Sequence, residues 1–533
     1  MANSSAHHSP TRRDVLRNMA MTSGAAALAG RNAAEGSSTS DGASSSQHRP
    51  NVLMIRADPC RVDFAGASHK LPSVKTPHID ALGARETNFR KCISHQPLCP
   101  PSHAWFLTWR YATEAAVRKL GLELDHSPPT IATELRKNGY TSHFMGKRHV
   151  SRTGWGDGKK PLGWIPSGPS RDGFNDQWEG AGVPELLTRP SEGSDSDNHA
   201  KNIGRKDKYR VDFIANRDVE FNERDRRWLH LLPQLDPRHK NDMDSVVPQS
   251  RYADAYSSLV YHSQFGAQQR KNFDSLYHPP RLNDADSHLP ENLRNVPGNW
   301  SSRIPGSHGF MQGIEDCALS LVVALERTGQ LGDTMIVFSS EHGWTFRARS
   351  GEYKRPPREG SIRVPFVITR PGFEQSAVSD EVVTQLDLTS TLLDGASIQP
   401  PRSMHGRRLK QRTNDQKARE TWDSTAYFQM SQSTCGPGIC TCDGCYCAFD
   451  PAVIDGKAEY GKQYQDFAPH SIACDPAEMV ILAGRAEYKD IGHRLRGEPQ
   501  RGMVAAGEPE ITMMPVLYYD SRATNSGILR GFG

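Results

Sequence analysis

From Pro50 onward the chain alternates short apolar runs with stretches of helical periodicity. Residues 52–55 (Val-Leu-Met-Ile) are apolar without polar alternation, the pattern of a strand buried on both faces. Residues 129–138 read as a helix, with proline near its start and Gly139 just past its end. A strand over 141–145, a helix over 211–221 and an apolar strand over 228–232 follow. Ile314, Ala318, Leu321, Val322 and Leu325 recur at helical spacing ahead of Gly329 and Gly332, and 334–338 and 365–369 read as two more strands. This alternation predicts an α/β fold, a mostly parallel sheet with helices on both faces. Two polar stretches, 153–208 and 241–301, are rich in Gly, Pro, Ser, Asp and Asn and read as surface insertions around a site rather than core. Past about residue 401 the alternation fades, and strands over 425–430 and 513–519 suggest a smaller α+β domain. The expected organisation is a leader and linker over 1–48, a main domain over 49–410 and a C-terminal domain over 411–533.

Composition narrows the function classes. A chain of 533 residues buries a large core with room for a second domain. The formal net charge of +4 is small for this length and forms no basic run, which argues against nucleic-acid binding. The absence of any apolar stretch of about 18 residues argues against a membrane span. The first 48 residues differ from the rest. Arg12-Arg13 precede a weakly apolar segment, Ala27-Leu28-Ala29 offers a small-x-small cleavage site, and a serine-rich linker follows. Paired arginines before a mild apolar region mark a twin-arginine export signal, so a periplasmic or extracellular location is expected. Of ten cysteines, Cys435, Cys440, Cys442, Cys445 and Cys447 crowd one segment. A second pair at zinc-ribbon spacing is missing, so an irregular surface segment oxidised to disulfides is preferred over a metal site.

Ligands of open parallel sheets bind beyond the carboxyl ends of the strands. There the sequence places Asp58 after the first strand, Gly146-Lys147-Arg148-His149 after the second, Asp236-Pro237-Arg238-His239 after the third, and Glu341-His342-Gly343 after the strand at 334–338. Cys99-Pro100-Pro101-Ser102-His103 stands before a helix-like segment, whose amino end suits an anion. Carboxylates, imidazoles, lysines and a helix terminus on one rim suit a doubly charged oxyanion held against a hard cation.

These segments, in this order, resemble the sulfatases of the alkaline phosphatase superfamily. Thr76-Pro77-His78-Ile79-Asp80-Ala81-Leu82 is similar to the family's Thr-Pro-Asn-Leu-Asp-x-Leu, Cys99–His103 to Cys-x-Pro-Ser-Arg, Gly146–His149 to Gly-Lys-Trp-His, and Ser340–Gly343 to Ser-Asp-His-Gly. Glu352-Tyr353-Lys354 resembles the segment carrying a sulfate-binding lysine, and Asp387–Leu393 resembles Asp-Leu-Ala-Pro-Thr-Leu-Leu. The resemblance implies hydrolysis of sulfate esters by a formylglycine made from Cys99 by a formylglycine-generating enzyme. It assigns Asp58, Glu341 and His342 to a divalent metal, usually calcium, and Lys147 and Lys354 to the sulfate. It assigns His149 to the nucleophile, while His239 neighbours the place of the acid toward the leaving oxygen, which Arg238 occupies. The substrate class is a sulfated small molecule or glycan.

The departures from the pattern fall on the site. His103 replaces the signature arginine, and an imidazole lacks the guanidinium's permanent charge and five-donor fork. Pro59 stands for a second carboxylate or amide, Glu341 for the shorter Asp, Trp109 for a glycine, and Arg148 for a tryptophan. Two readings follow: a sulfatase of impaired activity, or a non-catalytic sulfatase-like protein that binds sulfated glycans or anions. Phosphate or phosphonate ester hydrolysis on the same fold is a third.

Overall fold

The computed structural model describes residues 49–65, 76–85, 87–150, 165, 167–181, 228–235, 303–345, 354–369, 373, 377–432, 435–442, 444–453, 457–470, 486, 489–509 and 511–514. The leader, the helix expected over 211–221 and most of both polar insertions lie outside these residues.

The first strand, β1 (Asn51–Ala57), is buried along its whole length, as a continuous apolar run requires when both faces are covered. The other long strands on its side of the sheet are β3 (Thr141–Lys147), β4 (Gln177–Ala181), β5 (Trp228–Leu235) and β6 (Thr334–Ser340). They line up in the order β4-β3-β5-β1-β6 and every pairing is parallel. Beyond β6 the sheet continues through β8 (Phe366–Ile368), β2 (Thr87–Ile93) and β7 (Arg363–Val364), which pair antiparallel, while β9 (Ala377–Thr384) runs parallel to β2. The expected mostly parallel sheet is therefore present.

The helices α1 (Pro77–Arg85), α2 (Cys99–Thr108), α3 (Ile131–Lys137), α4 (Arg303–Arg327) and α5 (Gln385–Gly395) fall into two groups, α1 on α4 and α5 on α2 and α3. Side-chain caps fix where two of them begin. Thr130 and Thr133 close a capping box on α3, and Thr384 and Asp387 close one on α5. Residues 139 and 329 end their helices with φ of +84° and +71°, a conformation that favours glycine.

Two expectations need correction. The stretch 153–208 is not wholly a surface insertion: β4 lies within it and buries Trp178, stacked on Phe144 with ring centroids 4.5 Å apart. The cysteine-rich segment is not irregular. It forms β11 (Gly436–Cys440) and β12 (Cys445–Phe449), both buried, in a second sheet ordered from β10 (Ala426–Met430) through β11, β12 and β13 (Gln463–His470) to β14 (Thr512–Met513). The oxidation expectation fits one pair, since Cys440 and Cys445 form a disulfide. Of the strand expected over 513–519 only residues 513 and 514 are described, and Met513 ends β14. A last helix, α6 (Lys489–Ala505), went unpredicted and packs on β10, β11 and β12.

Candidate active site

Register brings the first two residues together. β1 and β6 are neighbours with Ala57 opposite Ser340, so the next residue of each, Asp58 and Glu341, leaves the sheet side by side. The Glu341 N–H donates back to the Ala57 carbonyl at 3.2 Å. The Glu341 carbonyl is fixed by Ser94 Oγ and Ser102 Oγ at 2.8 Å each and by Gln385 Nε2 at 3.1 Å. Ser102 holds this carbonyl from α2, which ties the helix to the end of β6.

Cys99 is the first residue of α2, not a residue ahead of it, and every residue of that helix is buried. A helix buried on all sides belongs to the core, so its amino end is presented at depth. The thiol takes a hydrogen bond from Lys354 Nζ at 2.5 Å and lies 3.4 Å from His342 Nε2 and 3.9 Å from Asp58 Oδ1. Burial pushes the thiol up. The charges of Lys354, Lys147 and His342, with the neighbouring His149, outweigh it and hold Cys99 well below the ordinary thiol value. Lys147, the last residue of β3, pairs with Asp58 Oδ2 at 2.7 Å, so the lysine expected on sulfate lies on the carboxylate expected on metal. His149 follows with φ of +59°, its ring pushed down to about 3 by burial and by the charge of Lys147, so it is a neutral base.

His342 Nδ1 donates to the Gly343 carbonyl at 2.8 Å, which aims Nε2 at Cys99 and Glu341. Burial lowers the His342 ring and the charges of Glu341 and Cys99 raise it further, with a net rise. Glu341 is fully buried. Its oxygens lie 2.8 Å from His342 Nε2 and 3.1 Å from His103 Nε2, yet neither accepts an aligned hydrogen bond. A buried carboxylate left so is costly, and a cation between it and its neighbours would satisfy it. Asp58, Cys99, Glu341 and His342 each offer a ligand atom within 4.8 Å of the others. This donor set fits a divalent cation.

His103 lies on the same side of α2. Arg56 Nη2 lies 2.8 Å from its Nδ1 and 3.3 Å from its Nε2, and Nε2 lies 3.1 Å from Glu341 Oε2. Burial, then the charges of Arg56, Lys147, His149 and His342, hold this ring well below the ordinary imidazole value. Arg56 is the residue that the strand-end rule missed. Its signal was a lone charge within the apolar run Val52–Ala57. Trp109, in place of a glycine, caps α2 at φ of +51°, a conformation that explains the glycine of the pattern. Arg148 turns to a buried Asp172, bonded through both nitrogens at 2.6 and 2.9 Å. Pro59 follows Asp58 through a cis peptide bond. His239 lies outside the described residues.

The fold is that of alkaline phosphatase-like sulfatases. A Bacteroides thetaiotaomicron structure from work on the metabolism of multiple glycosaminoglycans superposes with a TM-score of 0.66 at 19% identity, over 86% of this chain and 97% of that one. The sulfatase family profile matches residues 50–398, and the chain belongs to the sulfatase family. It is 24% identical over 369 residues to an ulvan-active sulfatase of Formosa agariphila, covering 68% of this chain and 65% of the relative. It is likewise 24% identical over 410 residues to a Drosophila melanogaster homologue of an extracellular sulfatase, covering 73% of this chain and 34% of the relative. The chain thus spans between a third and two thirds of the length of these curated relatives. Among the described residues no helix is long and apolar enough to cross a membrane.

Proposed function

We propose that the protein hydrolyses sulfate esters at the rim formed by Asp58, Cys99, Lys147, His149, Glu341, His342 and Lys354. One observation carries the reading: a buried thiol, two carboxylates, an imidazole and two ammonium groups converge at the strand ends. Asp58, Glu341 and His342 would hold one divalent cation, calcium by the hardness of the oxygen donors, and the cation would neutralise sulfate oxygens. Formylglycine at position 99, made by a formylglycine-generating enzyme, would supply the hydrated aldehyde that attacks sulfur. Lys354 fixes the side chain at position 99 and, with Lys147, presents positive charge to the anion. His149, held neutral beside position 99, accepts a proton there. On sequence grounds Arg238 occupies the place of the acid toward the leaving oxygen, and His239 beside it is the candidate for that role. With His103 and Pro59 in place of the pattern's residues, turnover is expected to be low.

The substrate class is a sulfated small molecule or glycan, in keeping with the ulvan-active relative. Export through the Arg12-Arg13 signal to the periplasm or beyond agrees with the relative named as extracellular. The test is coexpression with a formylglycine-generating enzyme, a mass spectrum of the peptide containing Cys99, and assays on aryl sulfate, phosphate and phosphonate esters. Conversion with sulfate release that Cys99→Ala abolishes is the expected result. Conversion without release of any anion would refute the reading, and a preference for phosphonate would replace it.

A further inference from the structure

Arg56 sits inside β1 with its side chain fully buried, between apolar neighbours that are buried as well. A guanidinium taken from water is costly unless opposite charge and hydrogen bonds offset the loss. Two contacts with α2 contribute to that offset. Nη2 lies 2.8 Å from His103 Nδ1, and the guanidinium carbon lies 4.5 Å over the ring of Phe106. His103 and Phe106 are three residues apart on α2, hence on one face of it, so Arg56 is pressed along that face. A guanidinium stays protonated at neutral pH, so this contact places a permanent positive charge against α2.

We propose that Arg56 and His103 act as one unit, in which β1 supplies the permanent positive charge that α2 lacks at position 103. His103 fastens that charge beside Glu341 and Cys99: its ring nitrogens lie 2.8 and 3.3 Å from Arg56 Nη2, and Nε2 lies 3.1 Å from the carboxylate. Arg56 is a positioning residue that acts on the bound anion through the site's field and through His103. The arrangement also explains why an arginine at 103 is not simply restorable. With Arg56 present, His103→Arg sets two guanidinium groups in contact; with Arg56 removed, the space and the charge are free for it.

This inference rests on the sulfate-ester reading, and its test separates the two. Inorganic sulfate is titrated calorimetrically into the calcium-loaded full chain, a readout that needs neither turnover nor conversion of Cys99. Arg56→Gln keeps hydrogen bonding without charge, and Arg56→Lys keeps the charge. Sulfate affinity is expected to fall about tenfold or more in Arg56→Gln, the loss of one buried positive charge from the field of the site. It should stay within about threefold of the parent in Arg56→Lys. The exchange Arg56→Leu/His103→Arg should recover most of the affinity, whereas His103→Arg alone should lose it. Parent-level binding by Arg56→Gln, or equal losses in Arg56→Gln and Arg56→Lys, would overturn the proposal, because a purely structural role predicts one or the other. If the parent itself binds no sulfate with calcium present, the sulfate-ester reading fails first and the pair has no anion to serve.

Discussion

Replacing Lys147 by methionine should move cation and anion binding in opposite directions. Nζ of Lys147 lies 2.7 Å from Asp58 Oδ2, and both groups are buried. A divalent cation on Asp58 would therefore compete with an ammonium for the same carboxylate and stand close to its charge. At an effective dielectric of about 20, charges of +2 and +1 about 5 Å apart repel by roughly 6 kcal/mol. The flexible lysine can swing toward a bound anion, so only a fraction of this is expressed, on the order of 1–3 kcal/mol. Lys147→Met is accordingly expected to tighten calcium binding to metal-stripped protein by about ten- to a hundredfold. The same change removes a positive charge from the anion's side, so inorganic sulfate should bind calcium-loaded Lys147→Met at least about tenfold more weakly. Calorimetry in the two orders of addition measures both. Unchanged or weaker calcium binding would show that Asp58 does not hold the cation, and that the Lys147 pair is a structural ion pair.

The remaining predictions concern stability and the shape of the rim. Glu315 on α4 is buried and accepts from the N–H groups of His78 and Ile79; burial above all, then Asp80 and Asp316, pushes it up to about 8 from 4.5, against those two hydrogen bonds. The folded state therefore holds a proton that the unfolded chain releases, and stability falls as pH rises from about 4.5 to about 8. Glu315→Gln should flatten that slope in urea unfolding midpoints, and an unaltered slope would assign it to other groups. At Gly343 a Cβ would come within 2.1 Å of the Gly360 carbonyl oxygen. Gly343→Ala should thus shift the turn that carries Glu341 and His342, costing about 1–3 kcal/mol of stability and weakening calcium binding. A variant as stable and as calcium-avid as the parent would refute that packing argument.

How much of the molecule was legible follows from which signals are local. β1 and β6 could be read because their central runs, Val52–Ile55 and Met335–Phe338, are apolar without alternation, and the strand-end rule, applied to β3 as well, then pointed to Asp58, Lys147 and Glu341. β2 could not. It carries Arg90 and Lys91 on a half-exposed stretch, and Arg90 belongs there because it pairs with Asp380 on β9, 290 positions away. β11 escaped for the opposite reason. Its Gly-Pro-Gly sequence looks like a loop, yet a Cβ at Gly436 would meet the Ala448 carbonyl oxygen at 1.9 Å, and one at Gly438 the Phe428 ring at 2.1 Å. Those glycines are close-approach positions within a sheet, which no periodicity reveals.

The site divides along the same line. The identities of its ligands are local, since each stands at the end of a strand or the start of a helix. Their pairings are not local. Lys147 meets Asp58 across 89 positions, and Arg56 meets His103 across 47. A substitution at position 103 therefore cannot be judged from its own motif, because the charge that matters there is a property of the β1–α2 contact. A histidine that departs from the motif is matched by an arginine within the otherwise apolar run Val52–Ala57 of β1. Each touches the other at 2.8 Å, and Arg56 also lies over Phe106, so the pair, rather than either residue, is the unit to mutate.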